Sequence, residues 1–112
     1  MAMEKAKRKD LVREYRERKV RAGVFAVRAG NAVWAGSSRN LDAEKNRVFF
    51  MLKNGGYPNA AMREVWSKLG EQAFSFEVLE EVKDDNPLLI DALLKERSAA
   101  WRQKLGAKPA ID

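Results

Sequence analysis

The chain of 112 residues contains neither histidine nor cysteine, which limits the chemistry its side chains can attempt. No Ser-His or Cys-His nucleophile pair can form. A structural zinc site, which draws on Cys and His, is not available. Proton transfer is left to Asp, Glu, Lys, Tyr or Arg, with or without a hard divalent ion such as Mg²⁺ or Mn²⁺. The residues of interest are then four cations near or along one helical segment, Arg39, Lys45, Arg47 and Lys53, which suit phosphate, and Tyr57, Trp66 and Glu96 beyond them. Arg47 stands three residues after Glu44, so the two can share a helix face as an exposed ion pair. Trp66 falls on an apolar stripe and reads as core. Glu96 follows Ala92 by one turn and can reach the edge of a buried face, or stand on the surface beside Lys95 and Arg97.

Charge is distributed unevenly. The formal net charge is +6, but residues 1–21 carry nine Lys/Arg and four Asp/Glu, which leaves only +1 for the remainder. A basic segment of this kind attracts phosphates through counterion release, or else solubilises the protein as a solvated helix. Apolar content of 46% and charged content of 34% fit one globular domain with a modest core. No apolar run approaches the ~20 residues that span a bilayer, and no apolar leader follows the basic start. With no cysteine, the default compartment is the cytoplasm.

The elements that must position these residues follow from local signals. Residues 4–21 lack Gly and Pro and read as a basic helix with a thin stripe of Leu11, Val12 and Tyr15. Residues 23–38 hold two alternating apolar runs around Gly30-Asn31, a pair suited to a tight hairpin turn. A helix follows from about Leu41 to Lys53, capped by Asn40, with Asp42 and Glu44 in its first turn and Leu41, Val48, Phe49 and Leu52 on one face. A second runs from Ala60 to Leu69, capped by Asn59 and stopped by Gly70, with Ala61, Met62, Val65, Trp66 and Leu69 inward. Residues 73–79 alternate as a third strand, and residues 80–86 form an acidic connector. A last helix starts at Pro87 after the Asn86 cap and reaches about Leu105, its apolar side carrying Leu89, Ala92, Leu93, Ala100 and Trp101. The expectation is an α+β fold: a basic helix over 1–21, then one domain over 22–112 with a small antiparallel three-stranded sheet flanked by helices.

Taken in order, Gly23-Val24-Phe25, Trp34-Ala35-Gly36 and Ser37-Ser38-Arg39-Asn40-Leu41 stand like the two motifs of a nuclease and the segment that leads into its helix. The series continues through Asn46-Arg47, Lys53-Asn54-Gly55, Asn59, Trp66, Gly70 and the run from Phe74 to Glu81. Over roughly residues 10 to 105 the chain resembles the GIY-YIG nuclease family, in particular short stand-alone bacterial members with a charged N-terminal helix. The resemblance implies the α+β core described above. It also implies a catalytic set of two motif tyrosines, a helix arginine, a further His or Tyr, a glutamate holding one divalent ion, and an asparagine in the C-terminal tail.

Carried over position by position, that set is replaced. Phe25 stands at the first tyrosine and has no hydroxyl. Trp34 stands at the second, and its indole N–H donates but cannot accept a proton. Both also serve as strand aromatics filling a core. The arginine position falls at Glu44, the histidine position at Val48, and the metal position at Ser98, a poor ligand for a hard cation. Arg47 and Glu96 are the nearby substitutes. The expected function is therefore a nuclease-family domain that binds nucleic acid, DNA more than RNA, with cleavage lost or strongly reduced. Binding would use Arg39, Lys45, Arg47 and Lys53. The alternatives are an active endonuclease that uses Mg²⁺ or Mn²⁺ with Arg47, Glu96 and Tyr57, and a protein-interaction module pairing through the N-terminal helix.

Overall fold

The computed structural model describes residues 21–110. The basic helix expected over residues 1–21 lies, apart from Arg21, outside the described residues. Strands β1 (Ala22–Ala29) and β2 (Ala32–Ser38) form the hairpin. Gly30 takes φ +57° while Asn31 stays at negative φ, so only the glycine uses the left-handed freedom the turn offers. Then come α1 (Leu41–Lys53), α2 (Ala60–Leu69), a short 3₁₀ turn (Glu71–Ala73), β3 (Phe74–Val82), α3 (Pro87–Leu105) and β4 (Lys108–Pro109).

Caps fall where short polar side chains meet unpaired helix N–H groups. Asn40 accepts from Ala43 N–H, Asn59 from Met62 N–H, and Asn86 from Leu88 N–H, each at 3.0 Å. Gly106 closes α3 in the left-handed conformation and turns the chain back toward the sheet.

The three expected antiparallel strands are present, with β1 between β2 and β3. A fourth, β4, joins parallel to β2 through Trp34–Lys108 and Ala35–Pro109, which makes the sheet mixed, in the order β3-β1-β2-β4. Two residues, one of them proline, carry no alternation to read, and proline is tolerated there because the strand is at an edge. Asn59 secures this strand by donating to the carbonyls of Pro109 at 3.2 Å and Ala110 at 2.9 Å.

β3 runs three residues beyond the expected end at residue 79, through part of the acidic connector, because a bulge resets its register. Val24 pairs with Glu80 but Phe25 pairs with Val78, leaving Leu79 as the extra residue. The bulge changes which face the even-numbered residues serve. Phe74 and Phe76 lie with Phe25 and Val27 against α1 and α2, whereas Glu80 and Val82 lie on the α3 side. Gly23 makes this possible, since a Cβ there would overlap the Glu80 carbonyl.

The main core is the α1–α2 side: Phe25, Val27, Ala29 and Trp34 from the sheet against Leu41, Val48, Leu52, Tyr57 and Met62. Aromatic rings fill it, Phe25 stacked on Phe76 at 5.0 Å and Trp66 tilted against Phe74 at 5.0 Å. The helix faces differ from expectation in three places. In α1 the buried set includes Glu44 beside Leu41, Val48 and Leu52. In α2, Ala61 and Leu69 are exposed. In α3, Leu89, Ala92 and Ala100 face outward, and the buried residues are Leu94 and Ser98. That stripe mixes apolar and polar residues because the sheet offers it Glu80 as well as Ala22 and Val82. An apolar-only pattern does not locate such a face.

Candidate functional site

The end of β2, the start of α1 and the second half of α3 meet around two neighbouring features. The first is an acidic corner. Glu44 is 7% exposed, accepts from the Ser38 hydroxyl at 3.3 Å, and lies 3.7 Å from Arg47 Nη1. Ser38 also accepts from Asn40 N–H at 3.0 Å, so the hydroxyl joins the cap of α1 to the carboxylate one turn on. Tyr57 is fully buried, and its hydroxyl has no hydrogen-bond partner among the described residues. Burial and the Glu44 charge push the phenol up to about 12, against the opposing pull of Arg47. It is therefore neutral near pH 7 and cannot serve as a ready base.

The second feature is a cavity of about 140 Å³ lined by Phe25, Ala35, Gly36, Ser37, Ser98, Arg102 and Ala110. It opens where β4 stops, because that strand covers β2 only as far as Ala35. Gly36 keeps it open, since a Cβ there would lie 3.1 Å from both Ala110 Cβ and Phe25 Cζ. Ser98 Oγ donates to the Lys95 carbonyl at 3.2 Å and accepts from Arg102 Nη1 at 3.3 Å.

The cavity unites three positions given by the sequence motifs, Phe25, Gly36 and Ser98. Trp34, in contrast, is 3% exposed and stacks on Phe74 at 6.3 Å within the core, away from the lining. Arg47 is half-exposed beside Glu44. Glu96 is exposed on α3 and does not line the cavity.

Of the four cations, Arg39 is tied to the start of α3 by Asp91 at 2.7 Å and the Pro87 carbonyl at 2.9 Å, and that ion pair holds its guanidinium above the usual range. Lys45, Arg47 and Lys53 are exposed. At ~100° per residue, Lys45 and Arg47 leave α1 on opposite sides of its buried stripe. Arg102 was the residue that sequence reasoning missed, and Glu44, expected in an exposed ion pair with Arg47, is buried. The signal for Arg102 was its place one helical turn after Ser98.

The resemblance implies a divalent ion held by a carboxylate. Here the lining holds no carboxylate, and its one ionisable group is the Arg102 guanidinium. Among the described residues no three acidic, His or Cys side chains lie together as a metal would require. Hydroxyl oxygens beside a fixed positive charge do not fit Mg²⁺ or Mn²⁺.

No protein-family model matches the chain, and no curated protein matches it. Solved structures do. The catalytic domain of homing endonuclease I-TevI superposes with a TM-score of 0.67 at 22% identity, covering 81% of this chain and 99% of that one. A mutant form of the catalytic domain of intron endonuclease I-TevI gives 0.66 at 23% identity, covering 77% of this chain and 84% of that one. At these identities the likeness establishes architecture: among the described residues, four strands in a mixed sheet and three helices, matching the fold of that catalytic domain. The chain therefore has the fold of a GIY-YIG catalytic domain.

Proposed function

We propose that this domain binds nucleic acid through its phosphates, DNA in preference to RNA, and has lost or strongly reduced the ability to cut it. The observation that carries this reading is the composition of the cavity. Its lining includes Phe25 and Ser98, which the resemblance puts at motif positions, yet Phe25 offers no hydroxyl, Ser98 no carboxylate, and no lining residue is a base. Losing one transition-state donor costs ~10²–10³-fold in rate, so losing base and metal ligand together disables the reaction. Binding requires only positive charge, which Lys45, Arg47 and Lys53 supply on α1, with Arg39 nearby. The described helices include none long and apolar enough to cross a membrane, and a nucleic-acid partner accords with a cytoplasmic site.

An active endonuclease using Arg47, Glu96 and Tyr57 is less well supported, since Glu96 lies on exposed α3 surface apart from the Glu44–Arg47–Tyr57 corner. One experiment separates the readings. Supercoiled plasmid incubated with the purified protein and Mg²⁺ or Mn²⁺ is expected to remain uncut, while a labelled duplex binds with an affinity that falls steeply with salt. Scission that chelator abolishes and Arg47→Ala removes would overturn the loss of cleavage. A flat salt response would overturn phosphate-led binding.

A further inference from the structure

We infer that the cavity between the end of β2 and α3 is a metal-independent phosphate site in which Arg102 supplies the positive charge. The inference rests on the nucleic-acid reading only in taking the phosphate to be that of a polynucleotide.

Arg102 stands apart from the other described arginines. Arg21, Arg28, Arg39, Arg47 and Arg97 each face a carboxylate within 4 Å. Arg63 does not, but it lies exposed on α2. Arg102 is half-buried, lines a cavity, and has no carboxylate partner among the described residues. Of its five N–H donors, one goes to Ser98 Oγ, and no other side-chain hydrogen bond to a described residue is formed. Ser98 is 4% exposed and held by the Lys95 carbonyl, so it acts as a prop that fixes the guanidinium while the remaining donors stay open.

The opposite wall adds donors. Ala35 sends its carbonyl outward to Ala110 N–H at 3.0 Å. Strand alternation turns the Ser37 N–H the same way, beyond the reach of β4, and Ser37 lines the cavity. A guanidinium fork sharing one cavity with Ser37 is a set of donors without a carboxylate, and it suits an anion. The volume takes several waters, and so the oxygens of one phosphate.

The experiment uses the full chain, a short fluorescein-labelled DNA duplex at low salt, and inorganic phosphate as the minimal probe. Arg102→Gln is expected to weaken duplex binding about tenfold, the worth of one charge-assisted contact, and to lower the salt slope by about one. Arg102→Lys should fall between, keeping the charge but losing the fork. EDTA should leave the wild-type affinity unchanged. Inorganic phosphate should shift the Arg102 ¹⁵Nε resonance in the wild type. Unaltered affinity and slope in Arg102→Gln, a resonance indifferent to phosphate, or binding abolished by EDTA would each overturn the site. If the wild type ignores the duplex while phosphate still moves the Arg102 resonance, the anion site stands and the nucleic-acid reading falls.

Discussion

The two faces of the sheet are covered by different means. Toward α1 and α2, Phe25, Val27, Trp34, Phe74 and Phe76 meet Leu41, Val48, Leu52 and Met62, with aromatic rings stacked through the layer. Toward α3 the apolar set is small, Ala22, Val82 and Leu94 with Ile90 and Leu93 at its margin, and a polar group completes the contact. There Glu80 receives Arg97 Nη2 at 2.8 Å and Trp101 Nε1 at 2.9 Å, and those hydrogen bonds hold its carboxyl below the usual glutamate range. The difference separates tasks. The aromatic face carries most of the burial that stabilises the domain, while the α3 face is thin enough to leave a cavity at the open end of β2.

Gly23 joins the two faces, because the bulge it permits turns Phe74 and Phe76 one way and Glu80 and Val82 the other. Gly23→Ala is therefore the most disruptive single change. The added methyl meets the backbone of Glu80 and Glu81, which cannot move aside as a side chain would. A loss of about 3 kcal/mol is expected in urea denaturation, the upper end for overpacking. A loss below about 1 kcal/mol would mean that the two faces are not coupled through this bulge.

Tyr57→Phe tests the aromatic face where it touches the acidic corner. It removes a buried hydroxyl without a partner, and a gain of about 1 kcal/mol is expected. The phenol's pKa is raised on folding, so its contribution is complete below the ordinary tyrosine value of about 10 and is lost as pH climbs toward about 12. The variant should accordingly lack part of the wild type's alkaline loss of stability between those values. Identical alkaline profiles would place the hydroxyl in contact with water.

Glu80→Gln probes the α3 face and has the smallest effect, since Glu80 and Arg97 are 31% and 40% exposed and solvent screens the pair. The carboxyl's folded pKa is depressed. Its contribution is thus present above the ordinary glutamate value of about 4.3 and is lost as pH falls through the lower folded value. Between neutral pH and pH ~3, wild type should lose more stability than the variant. Parallel acid limbs would show that hydrogen bonding to Trp101, rather than charge, holds α3 to the sheet.

Local chemistry was legible in the chain. The turn at Gly30, the caps at Asn40, Asn59 and Asn86, the proline at the start of α3 and the antiparallel pairing of three strands each depend on a few neighbouring residues. The site was legible only in part. Phe25 and Ser98, singled out by motif position, both line the cavity, whereas Trp34 lies in the core and Glu96 on the surface. Arg102 carried no motif at all. Lys45 and Arg47, two residues apart, leave α1 about 200° from one another.

By itself the order of residues determined the elements and the absence of histidine and cysteine chemistry, because backbone conformation and side-chain type are properties of short segments. Only tertiary structure decided the bulge at Leu79, the parallel docking of Lys108–Pro109 and the meeting of Ser37, Ser98 and Arg102 at one opening. Each of these depends on where distant segments run out of partners. A strand edge left uncovered past Ala35 exists only once β4 has found its place and stopped.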